Sequence, residues 1–238
     1  METEPLVPDT QVKRKLFAAR AILVCVVVLL VALGAWARGR FVEPYLRESG
    51  TKRILHRLES NLRPGDLVFQ VSRSSQAQAI AKATGSPWTH CGVVFHRQGR
   101  WQVLEASKKV QWTPLVDWIA QGEDLRLEVR RLDSASIVLD SAQVGALEGA
   151  ATKSLAKPYD LVFGWSDSAI YCSELPWKAY RAIGVDLGMV QTLRQLSLSS
   201  GEAKDLIRRR GHLGIRWDDS LVTPAALRNS PMLHPVSY

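Results

Sequence analysis

An uncharged apolar run from Ala21 to Ala37 limits the possible architectures of this chain more than any other feature. It has roughly 17 residues, which is near the lower limit for a helix that spans a bilayer. The run is hydrophobic on all sides and lies close to the N-terminus, which disfavours a buried helix of a soluble core. The chain is therefore predicted to consist of a membrane-directed segment and a separate domain. A basic cluster precedes the run, namely Lys13, Arg14, Lys15 and Arg20.

The charges around this run predict its orientation. Basic residues before it favour a cytoplasmic N-terminus and an exported C-terminal domain, although Arg38 and Arg40 on the far side weaken that bias. The triplet Ala35-Trp36-Ala37 resembles a signal-peptide cleavage site, but the polar leader is long for a signal peptide. We favour an uncleaved single-pass anchor over a cleaved signal. The predicted divisions are 1–20 as a cytoplasmic leader, 21–37 as the transmembrane anchor or signal peptide, 38–62 as a linker helix and 63–238 as the domain.

The composition of the remaining chain suits one domain with a substantial core. Of the 238 residues, 46% are hydrophobic and eight are tryptophan, which is enough to fill such a core. Three cysteines are too few for a disulfide framework. The net charge of +8 raises nucleic acid as a partner, but no nucleic-acid motif is present, and Arg208 to Arg210 is interpreted as a solvated helix end. An anionic membrane surface fits the charge at least as well, and no nucleic-acid partner is predicted.

The order of predicted strands and helices is typical of an α+β domain. A turn from Arg63 to Asp66 precedes the first strand, and Gln98 to Arg100 joins two later strands as a hairpin. Helical patterns lie before and after these strands, which predicts an antiparallel sheet packed against helices. The predicted strands are 67–71, 89–95, 101–106 and 125–132, and the predicted helices include 76–81, 136–155 and 172–183.

Cys172, His90 and Glu105 are the residue types that a cysteine hydrolase requires. Cys172 is predicted at the start of a helix, where the helix dipole favours the thiolate over the thiol. His90 and Glu105 fall on the two strands of the predicted hairpin, so the carboxylate is placed to orient the imidazole ring. Backbone N–H groups at the helix start are candidates for binding the oxyanion of a tetrahedral intermediate.

Each of these residues also has a structural interpretation. A helical cysteine is usually a packing residue, and the ring nitrogens of a strand histidine usually have structural hydrogen-bond partners. A carboxylate in an apolar strand, such as Glu105, is costly to bury without a partner. A metal site would draw on His90, Cys91, His96 and Cys172, but their spacing matches no metal motif, and neither a metal nor a cofactor is predicted. Neighbouring strand residues point to opposite faces, so Cys91 is predicted to be a core residue that faces away from Cys172.

These segments resemble the NlpC-type papain-like superfamily. Standard members carry cysteine before histidine, whereas this chain carries histidine first, which resembles the circularly permuted branch of YiiX/YaeF-type amidases. The resemblance extends from about Arg63 to the C-terminus and implies a circularly permuted papain-like fold of the α+β class. It rests on Pro64 to Phe69, Thr89 to Val94, Val103 to Ala106, Tyr171 to Leu175 and the tail Asn229 to Pro231.

The resemblance implies a cysteine hydrolase of the bacterial cell envelope, with Cys172 as nucleophile, His90 as base and Glu105 as its orienting residue. The thiolate would attack an amide or ester, and the acyl group would pass to water or to another acceptor. Tyr171 is a candidate for oxyanion support, with a packed aromatic at the helix start as an equal alternative. The domain is expected on the periplasmic side of the inner membrane, anchored through residues 21–37.

The sequence indicates the substrate only coarsely. A lipid-linked amide or ester and a cell-wall amide are both compatible, and an apolar groove built from tryptophans would favour the first. A non-catalytic envelope binding module that keeps the fold is the alternative from another class, and retention of all three polar residues disfavours it. The groove candidates are Trp88, Trp112, Trp118, Trp165 and Trp177.

Overall fold

A computed structural model of the protein describes residues 10–133, 139–188 and 190–238. The first nine residues of the predicted leader and Ser136, where one helix was predicted to begin, lie outside these ranges. The helices are α1 Thr10–Ala37, α2 Glu43–Glu59, α3 Ala77–Thr84, α4 Leu115–Gln121, α5 Ser141–Thr152, α6 Glu174–Ala182, α7 Gly201–Arg210 and α8 Pro224–Arg228. The strands are β1 Leu67–Ser72, β2 His90–Arg97, β3 Arg100–Ala106, β4 Val110–Pro114, β5 Gly122–Leu132, β6 Gln191–Thr192, β7 Ser220–Leu221 and β8 Leu233–Pro235.

The chain divides into two compact units, residues 1–49 and 50–238. The first unit contains α1, a π-helical turn at Arg38–Val42 and the beginning of α2. Within the described residues, one continuous helical stretch, Lys13–Glu59, is long and apolar enough to cross a membrane, and its apolar part lies in α1. Such a helix is consistent with a signal or anchor segment, as the run from Ala21 to Ala37 predicts.

The second unit contains a six-stranded sheet in the order β4-β3-β2-β1-β5-β8, in which all neighbouring strands are antiparallel. The hairpin between β2 and β3 turns at Gln98 and Gly99, which both have positive φ angles, 52° and 74°. Helices cover both faces of this sheet. The predicted α+β class with an antiparallel sheet is therefore confirmed.

Two hydrophobic clusters lie on opposite faces of the sheet. The α4 face packs Val68, Val94 and Val103 against Trp118 of α4 and Leu58 of α2. The α6 face carries the larger cluster, which packs against α5 and α6 and includes Leu67, Phe69, Cys91, Val93, Leu104, Leu147, Leu175 and Tyr180. The alternation of side chains along β2 thus divides the strand between the two cores.

The turn before β1 fixes the position of α6. The hydroxyl of Tyr180, in α6, donates a hydrogen bond to the Gly65 carbonyl oxygen at 2.5 Å. The turn is held in its own right, because the Asp66 carboxylate accepts hydrogen bonds from Arg131 Nε at 2.7 Å and from the Arg63 backbone N–H at 2.8 Å. The helix that follows Cys172 is therefore tied to the same sheet that carries His90 and Glu105.

Candidate active site

Glu105 lies on β3 with its side chain fully buried on the α4 face. Three donors converge on its carboxylate. Thr113 Oγ1 donates to Oε1 at 2.6 Å, Trp118 Nε1 donates to Oε2 at 3.1 Å, and His90 Nε2 lies 2.5 Å from Oε2. Burial raises the pKa of Glu105, but the hydrogen bond and charge of His90 outweigh burial and hold the pKa below its usual range. The carboxylate is therefore a fixed negative charge inside the protein.

His90 is the first residue of β2, and its ring stacks on Trp118 with the centroids 5.9 Å apart. Because Nε2 faces Glu105, Nδ1 is the ring nitrogen left for the Cys172 sulfur. Burial lowers the pKa of His90, but hydrogen bonds to Cys172 and Glu105 outweigh it and raise the pKa to about 10. The ring is therefore an imidazolium at neutral pH.

Cys172 lies in a turn two residues before α6, which begins at Glu174 rather than at the predicted position 172. Contacts on both sides hold this turn. The Ser173 hydroxyl donates to the Val222 carbonyl oxygen at 2.7 Å, and the Tyr171 backbone N–H donates to Glu174 Oε2 at 3.2 Å. The thiol is thus fixed just ahead of the first helical turn, in the positive field of the helix N-terminus.

The surroundings of Cys172 favour its thiolate form. A hydrogen bond from the Cys91 thiol has the largest effect and lowers the pKa of Cys172, burial opposes it, and His90 and Tyr159 lower the pKa further. The resulting pKa lies well below the usual range of a thiol. The structure therefore brings Cys172, His90 and Glu105 together, with the imidazolium in contact with both the thiolate and the carboxylate.

The predicted orientation of Cys91 is wrong. Cys91 is buried in the core and both thiols are free, but Cys91 interacts directly with Cys172. The alternation along β2 holds, since Cys91 belongs to the α6 face and His90 to the side of Trp118. The error lies in placing Cys172 on the face of His90. Because His90 is the terminal residue of its strand, its ring meets a cysteine that comes from the opposite face.

Tyr159 is a residue of the site that the sequence did not single out. Its hydroxyl accepts a hydrogen bond from Gln76 Nε2 at 3.1 Å and interacts with Cys172. Gln76 is held in turn, because its Oε1 accepts from Arg210 at 2.6 Å, and Arg210 also donates to the Leu161 carbonyl oxygen at 2.8 Å. Arg210 was predicted to be solvated with its two neighbours, but it is half-buried, whereas Arg208 and Arg209 are exposed.

Tyr171, the predicted candidate for oxyanion support, has its hydroxyl engaged elsewhere. The hydroxyl accepts a hydrogen bond from the Val222 backbone N–H at 3.0 Å, and the ring packs edge-on against Phe163. Burial raises the pKa of Tyr171 well above its usual range. The hydroxyl of Tyr159, rather than that of Tyr171, is the phenol directed at the Cys172 sulfur.

Cys172 also forms part of the wall of an apolar pocket. The wall is built from one side of α3, one side of α7, the residues around Cys172 and the segment that leads into α8. None of the five tryptophans predicted to form a groove belongs to this wall. Trp118 is core beneath His90, and Trp165 and Trp177 pack against each other at a different surface, so these three do not line a groove beside Cys172.

The four residues considered as metal ligands do not form a metal site. His96 is exposed and packs against Trp101, apart from the other three. Across residues 10–133, 139–188 and 190–238, no group of three or more His, Cys, Asp or Glu side chains is arranged to hold a metal ion.

Comparison with known proteins agrees with this arrangement of elements. Residues 61–237 match the family of permuted papain-like amidase enzymes, YaeF/YiiX, C92 family. The chain belongs to this family. A relative is the uncharacterized protein YiiX of Escherichia coli strain K12, 38% identical over 174 residues that make up 73% of this chain and 85% of YiiX. The crystal structure of YiiX from Escherichia coli O157:H7, described as a metalloprotein, matches with a TM-score of 0.70 at 38% identity. That match covers 74% of this chain and 97% of the YiiX chain.

Membership of the permuted papain-like amidases accounts for the order of the elements. The strands that carry His90 and Glu105 precede the helix that follows Cys172, as the resemblance implied. In this chain His90 lies at the start of β2, Glu105 lies near the end of β3 and Cys172 lies just before α6.

Proposed function

We propose that this protein is a cysteine hydrolase of the cell envelope that cleaves an amide or ester bond, or transfers its acyl group. The observation that carries the proposal is the contact of His90 with both Cys172 and Glu105, in which both shifted pKa values favour a thiolate–imidazolium pair. Such a pair is the activated form of a cysteine nucleophile. Membership of an amidase family supports the same reaction class.

The reaction divides into two half-reactions. The Cys172 thiolate attacks the carbonyl carbon, forming the carbon–sulfur bond while the carbonyl electron pair moves to oxygen. Collapse of this intermediate breaks the carbon–nitrogen or carbon–oxygen bond, and His90 Nδ1–H gives its proton to the departing amine or alcohol. Neutral His90 then takes a proton from water, the hydroxide attacks the thioester, and the acid leaves as Cys172 returns to the thiolate.

The high pKa of His90 is compatible with proton donation. Part of the stabilisation of the imidazolium comes from the adjacent thiolate. Once the sulfur is bonded to carbon it carries no charge, so that stabilisation disappears and the pKa of His90 falls. The ring therefore becomes a better acid at the step where the leaving group needs a proton.

Three donors are positioned to bind the oxyanion. The backbone N–H groups at Cys172 and Ser173 lie at the start of α6, where the helix field favours negative charge. Tyr159 supplies a hydroxyl close to the same sulfur, and Gln76 fixes its orientation by donating to the phenolic oxygen. Preorganised donors of this kind stabilise the charge that develops on the carbonyl oxygen.

No step of this mechanism passes through a metal. The YiiX crystal structure is described as that of a metalloprotein, but the donor set described for this chain contains no cluster suited to a metal ion. His90 is also hydrogen-bonded to both Cys172 and Glu105, so its ring nitrogens already have partners.

The substrate is proposed to be a lipid-linked or cell-wall amide or ester. The apolar N-terminal helix supports a location at the bacterial inner membrane, with the second unit on the periplasmic side, where both substrate classes occur. The basic flank of the helix supports this orientation.

Acylation of the full-length chain in lipid nanodiscs tests the proposal. With p-nitrophenyl acetate as the probe, mass spectrometry is expected to find an acetyl group on Cys172, and release of p-nitrophenolate is expected to continue after the first turnover. His90→Ala should abolish both signals. His96→Ala is the matched control, since His96 lies exposed on the same strand, and should leave both intact.

Failure has a defined meaning in this experiment. If the folded protein is not acylated, and iodoacetamide alkylates Cys172 no faster at neutral pH than it alkylates N-acetylcysteine, the thiolate pair is absent. The chain would then be a binding module that has kept the amidase fold.

A further inference from the structure

Cys91 is a buried thiol that takes no part in the bond-making steps of the proposed mechanism. It lies on β2 with no exposed surface, and its thiol donates a hydrogen bond to the sulfur of Cys172. Tyr171 and Leu175, which flank Cys172 in the chain, pack into the same hydrophobic cluster as Cys91. Both thiols are free. The structure therefore holds two reduced sulfurs in direct contact, from elements that are far apart in the chain.

The two sulfurs differ in charge and in access. Burial has the largest effect on Cys91 and, with the adjacent Cys172, raises the pKa of Cys91 well above its usual range, so Cys91 is a thiol. Cys172 favours the thiolate and lies on the wall of the apolar pocket. The thiolate is the form that reacts with oxidants. A small oxidant that enters the site therefore reacts with Cys172 first and leaves Cys91 as its neighbouring thiol.

The contact between these side chains suits a disulfide. A disulfide requires two Cβ atoms about 3.5–4.5 Å apart, and side chains whose sulfurs are already hydrogen-bonded can reach this separation with little movement of the backbone. The third cysteine, Cys25, belongs to α1 and is exposed. Cys91 is thus the thiol that is placed to react with an oxidised Cys172.

We propose that Cys91 and Cys172 form an oxidative modification site, in which hydrogen peroxide converts the two thiols into an intramolecular disulfide that reversibly inactivates the hydrolase. The disulfide itself requires only the contact of the two sulfurs. Inactivation rests on the proposed function, because the disulfide removes the nucleophile. The proposed location of the domain is a compartment in which disulfides persist.

The oxidation consists of two steps. The Cys172 thiolate attacks one oxygen of hydrogen peroxide, so that a sulfur–oxygen bond forms, the oxygen–oxygen bond breaks, and the departing hydroxide leaves as water with the proton of the His90 imidazolium. The Cys91 sulfur then attacks the sulfenic sulfur and forms the sulfur–sulfur bond, while the sulfenic oxygen leaves as a second water with the Cys91 proton. The two sulfurs together lose two electrons, which hydrogen peroxide gains.

Oxidation of the full-length protein in lipid nanodiscs tests the proposal. The reduced protein is treated with hydrogen peroxide, its remaining thiols are blocked with N-ethylmaleimide, and its peptides are mapped by mass spectrometry without reduction. We expect a cross-linked peptide pair that contains Cys91 and Cys172, with a mass lower by two hydrogen atoms. Hydrolysis of p-nitrophenyl acetate should be lost in parallel and should return fully with dithiothreitol.

Two serine variants separate this pair from other thiol chemistry. Cys25→Ser is the matched control and should form the cross-link and recover its activity as the unmodified protein does. Cys91→Ser keeps a hydroxyl that can donate to the Cys172 sulfur, but it cannot form the disulfide. Its Cys172 should gain two oxygen atoms as the sulfinic acid, which dithiothreitol does not reduce, so less than about a tenth of the activity that this variant had before oxidation should return.

The outcomes distinguish the two proposals. If circular dichroism shows that Cys91→Ser does not fold, Cys91→Ala replaces it. Absence of the cross-linked peptides in folded, peroxide-treated protein overturns the inference, whether Cys172 is over-oxidised or stays reduced, and so does equal recovery of activity in Cys25→Ser and Cys91→Ser. Absence of p-nitrophenyl acetate hydrolysis before oxidation overturns the proposed function, and the cross-link would then establish the modification site alone.

Discussion

At the scale of single residues, Glu105 determines the charge of the site. Its carboxylate accepts from Thr113 and Trp118 as well as from His90, so it cannot rotate away without breaking two buried hydrogen bonds. Loss of a partner for a buried polar group costs about 1–3 kcal/mol, which holds the carboxylate in place. The imidazolium is thus stabilised before any substrate arrives.

Glu105→Gln is expected to move the alkaline limit of activity to lower pH. The pKa of His90 is about 10 with the carboxylate present, and removal of that charge lowers it, because the imidazolium loses its partner. Since the protonated ring is the form that pairs with the thiolate, activity is lost as pH rises through the His90 pKa, and the variant loses it earlier. At neutral pH, kcat/KM should fall on the order of 100-fold.

The pH profile of kcat/KM, corrected for the uncatalysed hydrolysis of p-nitrophenyl acetate, measures this change. Glu148→Gln is the control. Glu148 lies on α5 and pairs with Arg97, at the end of β2 opposite to His90. An alkaline limit at the same pH in Glu105→Gln and the unmodified protein would contradict the role given to Glu105.

The two tyrosines near Cys172 are predicted to differ in their effect on catalysis. Tyr159→Phe removes a donor to the sulfur and the oxyanion, so kcat should fall by about 10²-fold with little change in KM. It should also shift the acid limit of Cys172 alkylation to higher pH, because the phenol lowers the pKa of Cys172.

Tyr171→Phe is the comparison variant. It removes the acceptor for the Val222 N–H, so it should lower the melting temperature. It should reduce kcat less than Tyr159→Phe does. A larger loss of kcat in Tyr171→Phe than in Tyr159→Phe, at equal stability, would return the oxyanion role to Tyr171.

At the scale of elements, the site depends on close contact between β2 and β3. A Cβ atom at Gly92 would collide with Val103 Cγ1, would lie 2.9 Å from the Leu104 carbonyl oxygen and would come within 3.4 Å of Glu105 Cβ. Only glycine therefore allows the two strands to approach closely enough for His90 to reach Glu105.

Gly92→Ala is expected to lower both stability and activity. Forcing the strands apart should cost about 1–3 kcal/mol of unfolding free energy, as overpacking of a core does. It should also lengthen the His90–Glu105 hydrogen bond. Urea unfolding and kcat/KM are the measurements, with Gly145→Ala as control, because a Cβ at Gly145 in α5 meets nothing within 4 Å. Equal stability and activity in the two variants would show that the strands tolerate the extra atom.

The elements themselves could be predicted because local patterns determine them. Alternation of apolar residues predicts β2 and β3, and Gln98 with Gly99 predicts the turn that joins them. The start of α6 was placed two residues early because Ser173 uses its hydroxyl on the distant Val222 carbonyl oxygen, and a local pattern does not contain that contact.

At the scale of the whole molecule, the sequence predicts Cys172, His90 and Glu105 as site residues but does not predict which side chains surround them. Tyr159, Gln76 and Arg210 come from three separate segments and become neighbours only in the fold. Arg210 belongs to a basic run, and nothing in that run distinguishes the one side chain that turns inward. The contact between Cys91 and Cys172 likewise depends on the tertiary fold, in which Cys172 approaches from the face of the sheet opposite to His90.

The meeting of a strand end and a helix start has a consequence for how such proteins are recognised. Side-chain contacts between separate elements hold the site together. The same site can therefore form whichever of these elements comes first along the chain. A linear pattern that demands cysteine before histidine fails on a chain connected in this order. A spatial template of one sulfur, one imidazole and one carboxylate finds both kinds of chain alike.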